Sequence, residues 1–547
     1  MPFARPSRRW LALLAAGAVC AAAFAAAERD VPPGPPPLQD LPDAAAVDDF
    51  FAERWAEEQV EPAPPADDLL VLRRLSLALH GTIPSLEEIR AFEADAGPDR
   101  LVRWTDRLLA DRRFADYWAE RLARALVGVH EGNLILFRRD RFKAWLADRL
   151  HRDAPWDETV RRMIAGEGMW TAKPEVNFVT AEIENDLLDR EALAGRTVRA
   201  FLGQRIDCAQ CHDHPFAEWS QGDFEGLAAF YGRTAYGLTG VRERTRENGE
   251  PKEFAVQDRE TLEDRVVAPA VPFAPERLPE TFEADSTARR AALAAWVTHP
   301  ENRRFGRATA NRVWGLLFGR AWKEPVDDLP DPEPLEPGEP GDLLDRLAAS
   351  FVGPGQYRLK GLIRTIAASR AFRLSSAVPG AGEQEYERLT RAGAVFPLTR
   401  LRPEQMIGAM TQAGSVRTLD ADSPLFVRAI RFFRTVDFVR DYGDPGEDEL
   451  IREPGTVPQA LLRMNGRLPR EIAQKQPFGA PARLTWFAGP PPRQIEAAFL
   501  CVLSRRPTDE EAAALARYYE PNGDEANYPM EDVYWTLFNA PEFSWNH

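Results

Sequence analysis

Leu69-Leu-Val-Leu72-Arg-Arg-Leu75-Ser-Leu-Ala-Leu79-His-Gly81 decides the fold: Leu72, Leu75 and Leu79 recur at spacings of three and four, one face of an α-helix, and Gly81 supplies its stop. Just beyond, Ser85-x-x-Glu88 is a capping box that opens another helix. The same grammar continues outward. Leu101 to Val127 reads as two helices, Arg141 to His151 and Trp156 to Ile164 as shorter ones, and Arg190 to about Gly203 as a helix with Val198, Phe201 and Leu202 on its buried side. Ser220-x-x-Asp223 then caps a helix bearing Phe224, Leu227, Ala228 and Tyr231.

The pattern breaks between Gly237 and Asp285, where Glu253 to Asp258 and Arg265 to Val271 are the best strand candidates and predict a short hairpin or extended linker. Helical spacing resumes near Ser286 and runs through Ala291–Val297 and Arg307–Phe318, with Gly319 as a stop. Pro325 to Pro340 is proline-rich and acidic, the composition of a surface loop. Leu359, Leu362, Ile363 and Ile366 mark another helix, Pro403 sits in the first turn of one carrying Met406 and Met410, and Thr508-x-x-Glu511 caps one of the last. The expected fold is therefore mainly α: a helical domain over 68–236, a linker with a hairpin over 237–285, and a second helical domain over 286–547.

At the N-terminus, Arg5, Arg8 and Arg9 precede an apolar run from Trp10 to Phe24 that ends in Ala25-Ala26-Ala27. This is the layout of a secretory signal peptide over 1–27, so an exported, periplasmic or extracellular protein is expected, with no membrane span once the signal is cleaved. Residues 28–67, rich in proline and acid, read as a tether. A net charge of −16 argues against nucleic acid or an anionic membrane surface as partner. The 547 residues suffice for more than one core.

The chemistry concentrates in Phe201-Leu-Gly-Gln-Arg-Ile-Asp-Cys208-Ala-Gln-Cys211-His212-Asp213-His214-Pro-Phe216, within a chain of four cysteines. C-x-x-C-H is the attachment signature of haem c: Cys208 and Cys211 would form the thioethers and His212 would ligate iron. Two further readings use the same residues. Cys208, Cys211 and His214, with His212 or Asp213, suit a mixed zinc or iron site. A Cys208–Cys211 disulfide would instead staple the helix junction in a structural surface module, since export puts these thiols in an oxidising compartment. Cys501, in an apolar helical stretch, reads as a buried, inert thiol. A distal iron ligand is not identifiable from spacing. Between Asp213 and Glu404 there is no methionine and only His214 and His299, leaving His130, His151, Met163, Met169, His299, Met406 and Met410 as remote candidates.

Signatures of serine hydrolases, zinc proteases and P-loop nucleotide triphosphatases are missing from the sequence. The acidic groups Glu182, Glu184 and Asp186, or Asp327 and Asp328, could pair for general acid–base work, but in a chain with 85 acids a solvated face is the simpler reading. Trp296, Trp314, Trp322, Trp486 and Trp535 read as core in preference to a carbohydrate-facing surface.

Leu72 to Glu88, Cys208 to Phe216 and Gly226 to Phe230 resemble the cytochrome-like domain of unknown function expanded in planctomycetes. Arg290 to Trp296, Asn311 to Gly319, Glu324 to Asp328, Leu362 to Ile366 and the final Pro541 to His547 resemble its usual C-terminal companion domain. The resemblance implies a secreted or periplasmic protein of a planctomycete-like bacterium and leaves its biochemistry open; Val127 to His130 and the middle linker depart from the pattern. The resulting expectation is a redox or metal-centre protein, with covalent haem c at Cys208, Cys211 and His212, that serves electron transfer or redox support of a partner protein or co-exported enzyme. The rival is a non-haem zinc or iron protein in polysaccharide turnover.

Overall fold

The computed structural model describes residues 43–97, 99–130, 136–215, 219–244, 246–247, 250–257, 262–283, 288–420, 438–439, 442–443, 446, 450, 455–474, 476, 479–519 and 529–547, which fall in one unit, Leu38–His547. The predicted signal peptide lies outside the described residues.

Helix α1 spans Asp43–Glu57 and corrects the expectation of a tether over 28–67. Its proline-poor, acidic sequence carries Val47, Phe51 and Trp55 at steps of four. All three are buried, and the Phe51 ring lies 5.9 Å from that of Trp314, so an apolar stripe holds down a segment whose composition suggests a linker. Helix α2, Asp68–His80, begins where the Asp67 side chain accepts the Leu69 N–H at 2.8 Å and ends at Gly81, whose φ of +65° is left-handed. Helix α3, Leu86–Ala94, has the predicted capping box between Ser85 and Glu88. The predicted pair follows as α4, Arg100–Ala110, and α5, Arg112–Val127, broken at Asp111, whose carboxylate caps the Arg113 N–H. Then come α6, Arg139–His151, α7, Trp156–Ala165, α8, Arg190–Thr197, and α9, Gln221–Ala229.

The break in the middle contains the expected hairpin: strands Phe254–Gln257 and Asp264–Val267 pair antiparallel, with Phe254 opposite Val267. Helices return as α10, Arg289–Val297, α11, Arg303–Phe318, α12, Leu343–Val352, α13, Leu359–Ala368, α14, Glu383–Arg391, and α15, Pro403–Ala413. Near the C-terminus lie α16, Ala480–Phe487, α17, Pro491–Leu503, and α18, Pro529–Asn539. The strands are short two-stranded pairs, so the fold is mainly α. No helix among the described residues is long and apolar enough to cross a membrane.

Two hydrophobic clusters organise these helices. One joins α1 to α9 with α10 to α13, so the helices on either side of the hairpin linker share a core. The other packs α15 to α18 together and takes Leu77 and Ile83 from the N-terminal half. Helix α2 feeds both, and it is buried on every side, including Arg73 and Arg74. The Arg73 guanidinium donates to the carbonyls of Val502 at 3.2 Å and Phe543 at 3.3 Å. That of Arg74 donates to those of Leu374 at 2.7 Å, Phe372 at 3.0 Å and His547 at 2.7 Å.

Candidate functional site

The segment that carries the cysteines is held at its entrance before the motif begins. Helix α8 runs on as a π-helical turn, Val198–Leu202, whose buried residues are the predicted Val198, Phe201 and Leu202. It ends at Gly203 with φ +68°, where a side-chain carbon would sit 3.0 Å from the Ala308 Cβ, so glycine is required both by conformation and by close approach of α11. The Leu329 N–H donates to the Gly203 carbonyl at 2.6 Å.

On either side of that glycine, Arg199 and Arg205 converge on one carboxylate, that of Asp327, at 2.7 and 3.0 Å. Burial alone would raise the Asp327 pKa, but hydrogen bonds and charge from Arg205 and Arg199 outweigh it and hold the carboxyl below its ordinary value. Asp327 is therefore a fixed anion and not a proton donor, and the proline-rich loop from Pro325 clamps the entrance to the motif. Asp327→Ala leaves two arginines facing a void. It is expected to cost about 2 kcal/mol, less than for a fully buried pair because both arginines are about a third exposed, and to lower the urea midpoint accordingly.

Beyond the clamp, Asp207–Gln210 forms a single 3₁₀ turn seated by Ile206 and Ala209, both fully buried. The Cys211 N–H donates to the Cys208 carbonyl at 3.3 Å, and a turn of this pitch aligns positions i and i+3, so both cysteines stand along one edge of the turn. Both are exposed, free thiols. His212 is also exposed, with Nδ1 2.8 Å from the Asp213 carbonyl oxygen. A carbonyl only accepts, so Nδ1 carries the hydrogen and the neutral ring keeps its lone pair on Nε2, the tautomer a metal-ligating histidine uses. The donor set thus fits haem c: two accessible thiols for thioethers and an imidazole with Nε2 free.

The neighbours have structural roles that spacing does not disclose. Asp213, an alternative metal ligand by sequence, accepts the Gln221 N–H at 2.9 Å at the start of α9. Gln210 bonds Glu191 on α8 through its side chain and Gln221 through its carbonyl, tying the turn to both flanking helices. His214 is partly buried, and its N–H donates to the Trp219 carbonyl at 2.7 Å. Phe216 lies outside the described residues. Among the described residues, no three His, Cys, Asp or Glu side chains gather into a group that could hold a metal ion.

The remaining candidates are scattered. Met163 packs in the first core, Met406 and Met410 in the second, and His130 is exposed. The His299 Nδ1 accepts the Glu301 N–H at 3.2 Å. Glu182 is ion-paired with Arg196, whereas Glu184 and Asp186 are exposed on a hairpin turn, the solvated face expected. Trp296 and Trp314 are core, Trp322 packs edge-on against Phe50 and Phe51, and Trp486 and Trp535 are about half exposed. Cys501 is buried as expected, which pushes its thiol up to about 12.

Two family models match the chain. PSCyt2, described as a protein of unknown function (DUF1549), covers residues 46–236, and PSD1, described as a protein of unknown function (DUF1553), covers residues 289–430. The first match begins inside α1, in keeping with that helix belonging to the packed body. No curated protein and no solved structure matches.

Proposed function

We propose, for a chain in which a PSCyt2 domain is followed by a PSD1 domain, that the first is an exported haem c carrier serving electron transfer or redox support of a partner protein. The observation that carries this reading is the C-x-x-C-H turn itself: Cys208 and Cys211 exposed and free on one edge, beside a His212 whose Nδ1–H is committed to a backbone carbonyl. Cys208 and Cys211 would anchor the ring covalently, and His212 would present Nε2 to its iron. Bound there, the haem would supply one-electron chemistry. The chain's own part is to hold the turn rigid through Ile206, Ala209 and the Asp327 clamp, and to keep the imidazole in one tautomer and orientation.

The test is a preparation exported from a host with intact cytochrome maturation. The expected result is a Soret band and a haem stain that survives a denaturing gel, lost entirely in Cys208→Ser with Cys211→Ser. Colourless protein from that host overturns the proposal. Stoichiometric zinc or iron that disappears in the Cys208→Ser variant would then establish the small-metal alternative.

A further inference from the structure

Away from the cysteine motif, α3, the turn after α15, α16 and the first turns of α17 enclose a groove of about 700 Å³. That volume lies within the range of small-molecule pockets. Its apolar wall is made by Leu86, Val416, Leu484 and Phe487. Phe487 is 80% exposed, a large aromatic surface left in water. Three arginines line the same groove, and they are not equivalent. Arg90 is neutralised: it pairs with Glu93 at 3.0 Å and lies 4.0 Å from Glu496, and Arg506 closes the network to both acids. Arg483 and Arg493 have no ion-pair or hydrogen-bond partner for their guanidinium groups among the described residues. Two unopposed cations beside an apolar wall form a local positive site on a chain with a net charge of −16.

We propose that this groove binds a small amphipathic anion, an apolar body ending in a carboxylate or sulfonate, with the body against Phe487 and Leu484 and the anionic head between Arg483 and Arg493. A neutral apolar ligand would satisfy only the wall, and a simple inorganic anion only the arginines. Most of the lining lies after residue 430, beyond the stretches that the two family models match.

Two dyes of one aryl framework separate these contributions: 1-anilinonaphthalene-8-sulfonate, and N-phenyl-1-naphthylamine, which lacks the sulfonate. By fluorescence titration of the full chain, the sulfonate is expected to bind saturably and about tenfold more tightly than the neutral dye. The double variant Arg483→Gln with Arg493→Gln should abolish that preference, and Phe487→Ala should weaken both dyes several-fold, all with unchanged helical circular dichroism. If the double variant fails to fold, Arg493→Gln alone, at an exposed position, should weaken the sulfonate about threefold. Equal affinity for the two dyes, or sulfonate binding unaffected by loss of the arginines, overturns the proposal. Light scattering that shows a dimer whose dissociation the dyes drive would assign the groove to a second copy of the chain and overturn it as well.

Discussion

Arg74→Met is expected to destabilise the protein by about 4 kcal/mol, read as a shift in the guanidinium denaturation midpoint at constant slope. The side chain is fully buried in α2 and, among the described residues, no Asp or Glu pairs with it. Its guanidinium is held by main-chain oxygens of Phe372, Leu374 and His547 and, at 3.3 Å, the Ser376 hydroxyl, and lies 3.8 Å above the Phe396 ring. Burial pushes the Arg74 guanidinium down to about 9, a measure of how poorly the site replaces water. It remains protonated at neutral pH, and its donors satisfy the buried carbonyls of Phe372 and Leu374 as well as the partly buried His547 oxygen. Methionine keeps most of the volume but leaves those oxygens unpaired, each at a cost of about 1–3 kcal/mol, partly offset by no longer burying a cation. Arg74→Lys should recover less than half of the loss, because a single ammonium cannot span acceptors arranged for a planar fork. A methionine variant within about 1 kcal/mol of the parent would show that these carbonyls find other partners.

That arginine also marks where the sequence stops being legible. Leucines at three and four, Gly81, and the boxes at Ser85/Glu88, Ser220/Asp223 and Thr508/Glu511 are local devices, and the structure contains all of them. Arg73 and Arg74 sit in the same helix and look like its wet face, yet their acceptors lie between 298 and 473 residues further along the chain. No window of helical length contains that information. Helix α1 was hidden for the opposite reason, since its acids and flanking prolines mask an apolar stripe that only the distant Trp314 and Trp322 complete. At the site, the cysteines and His212 are legible because the chemistry needs them adjacent. The Asp327 clamp is not, since it crosses 128 residues to reach Arg199, and the use of Asp213 as an acceptor for α9 depends on where that helix begins.

Acidification should remove stability in two separable steps, the first governed by His80. This side chain is 6% exposed, and its Nε2–H donates to the Leu108 carbonyl at 2.9 Å. Burial, reinforced by the charge of Arg113 and opposed by Asp111 and Glu88, pushes its pKa from 6.5 down to about 4. Between those values the unfolded chain binds a proton that the folded chain refuses, so stability falls as the pH drops from 6.5 towards 4, by about 3 kcal/mol in all. Glu120 and Glu542 act lower. Burial opposes their ionisation, but Arg139 and Lys143 for the first, and His547 and Arg505 for the second, pull each carboxyl from 4.5 to about 2. Their contribution is present above 4.5 and is lost as the pH falls through 2. Urea denaturation across pH 7 to 3 should therefore show a slope that His80→Gln flattens above about 4.5 and leaves intact below it, because glutamine keeps a donor for Leu108 but takes up no proton. An unchanged slope in that variant would move the first step to another group, with His151, whose pKa is also lowered by burial, the next to replace.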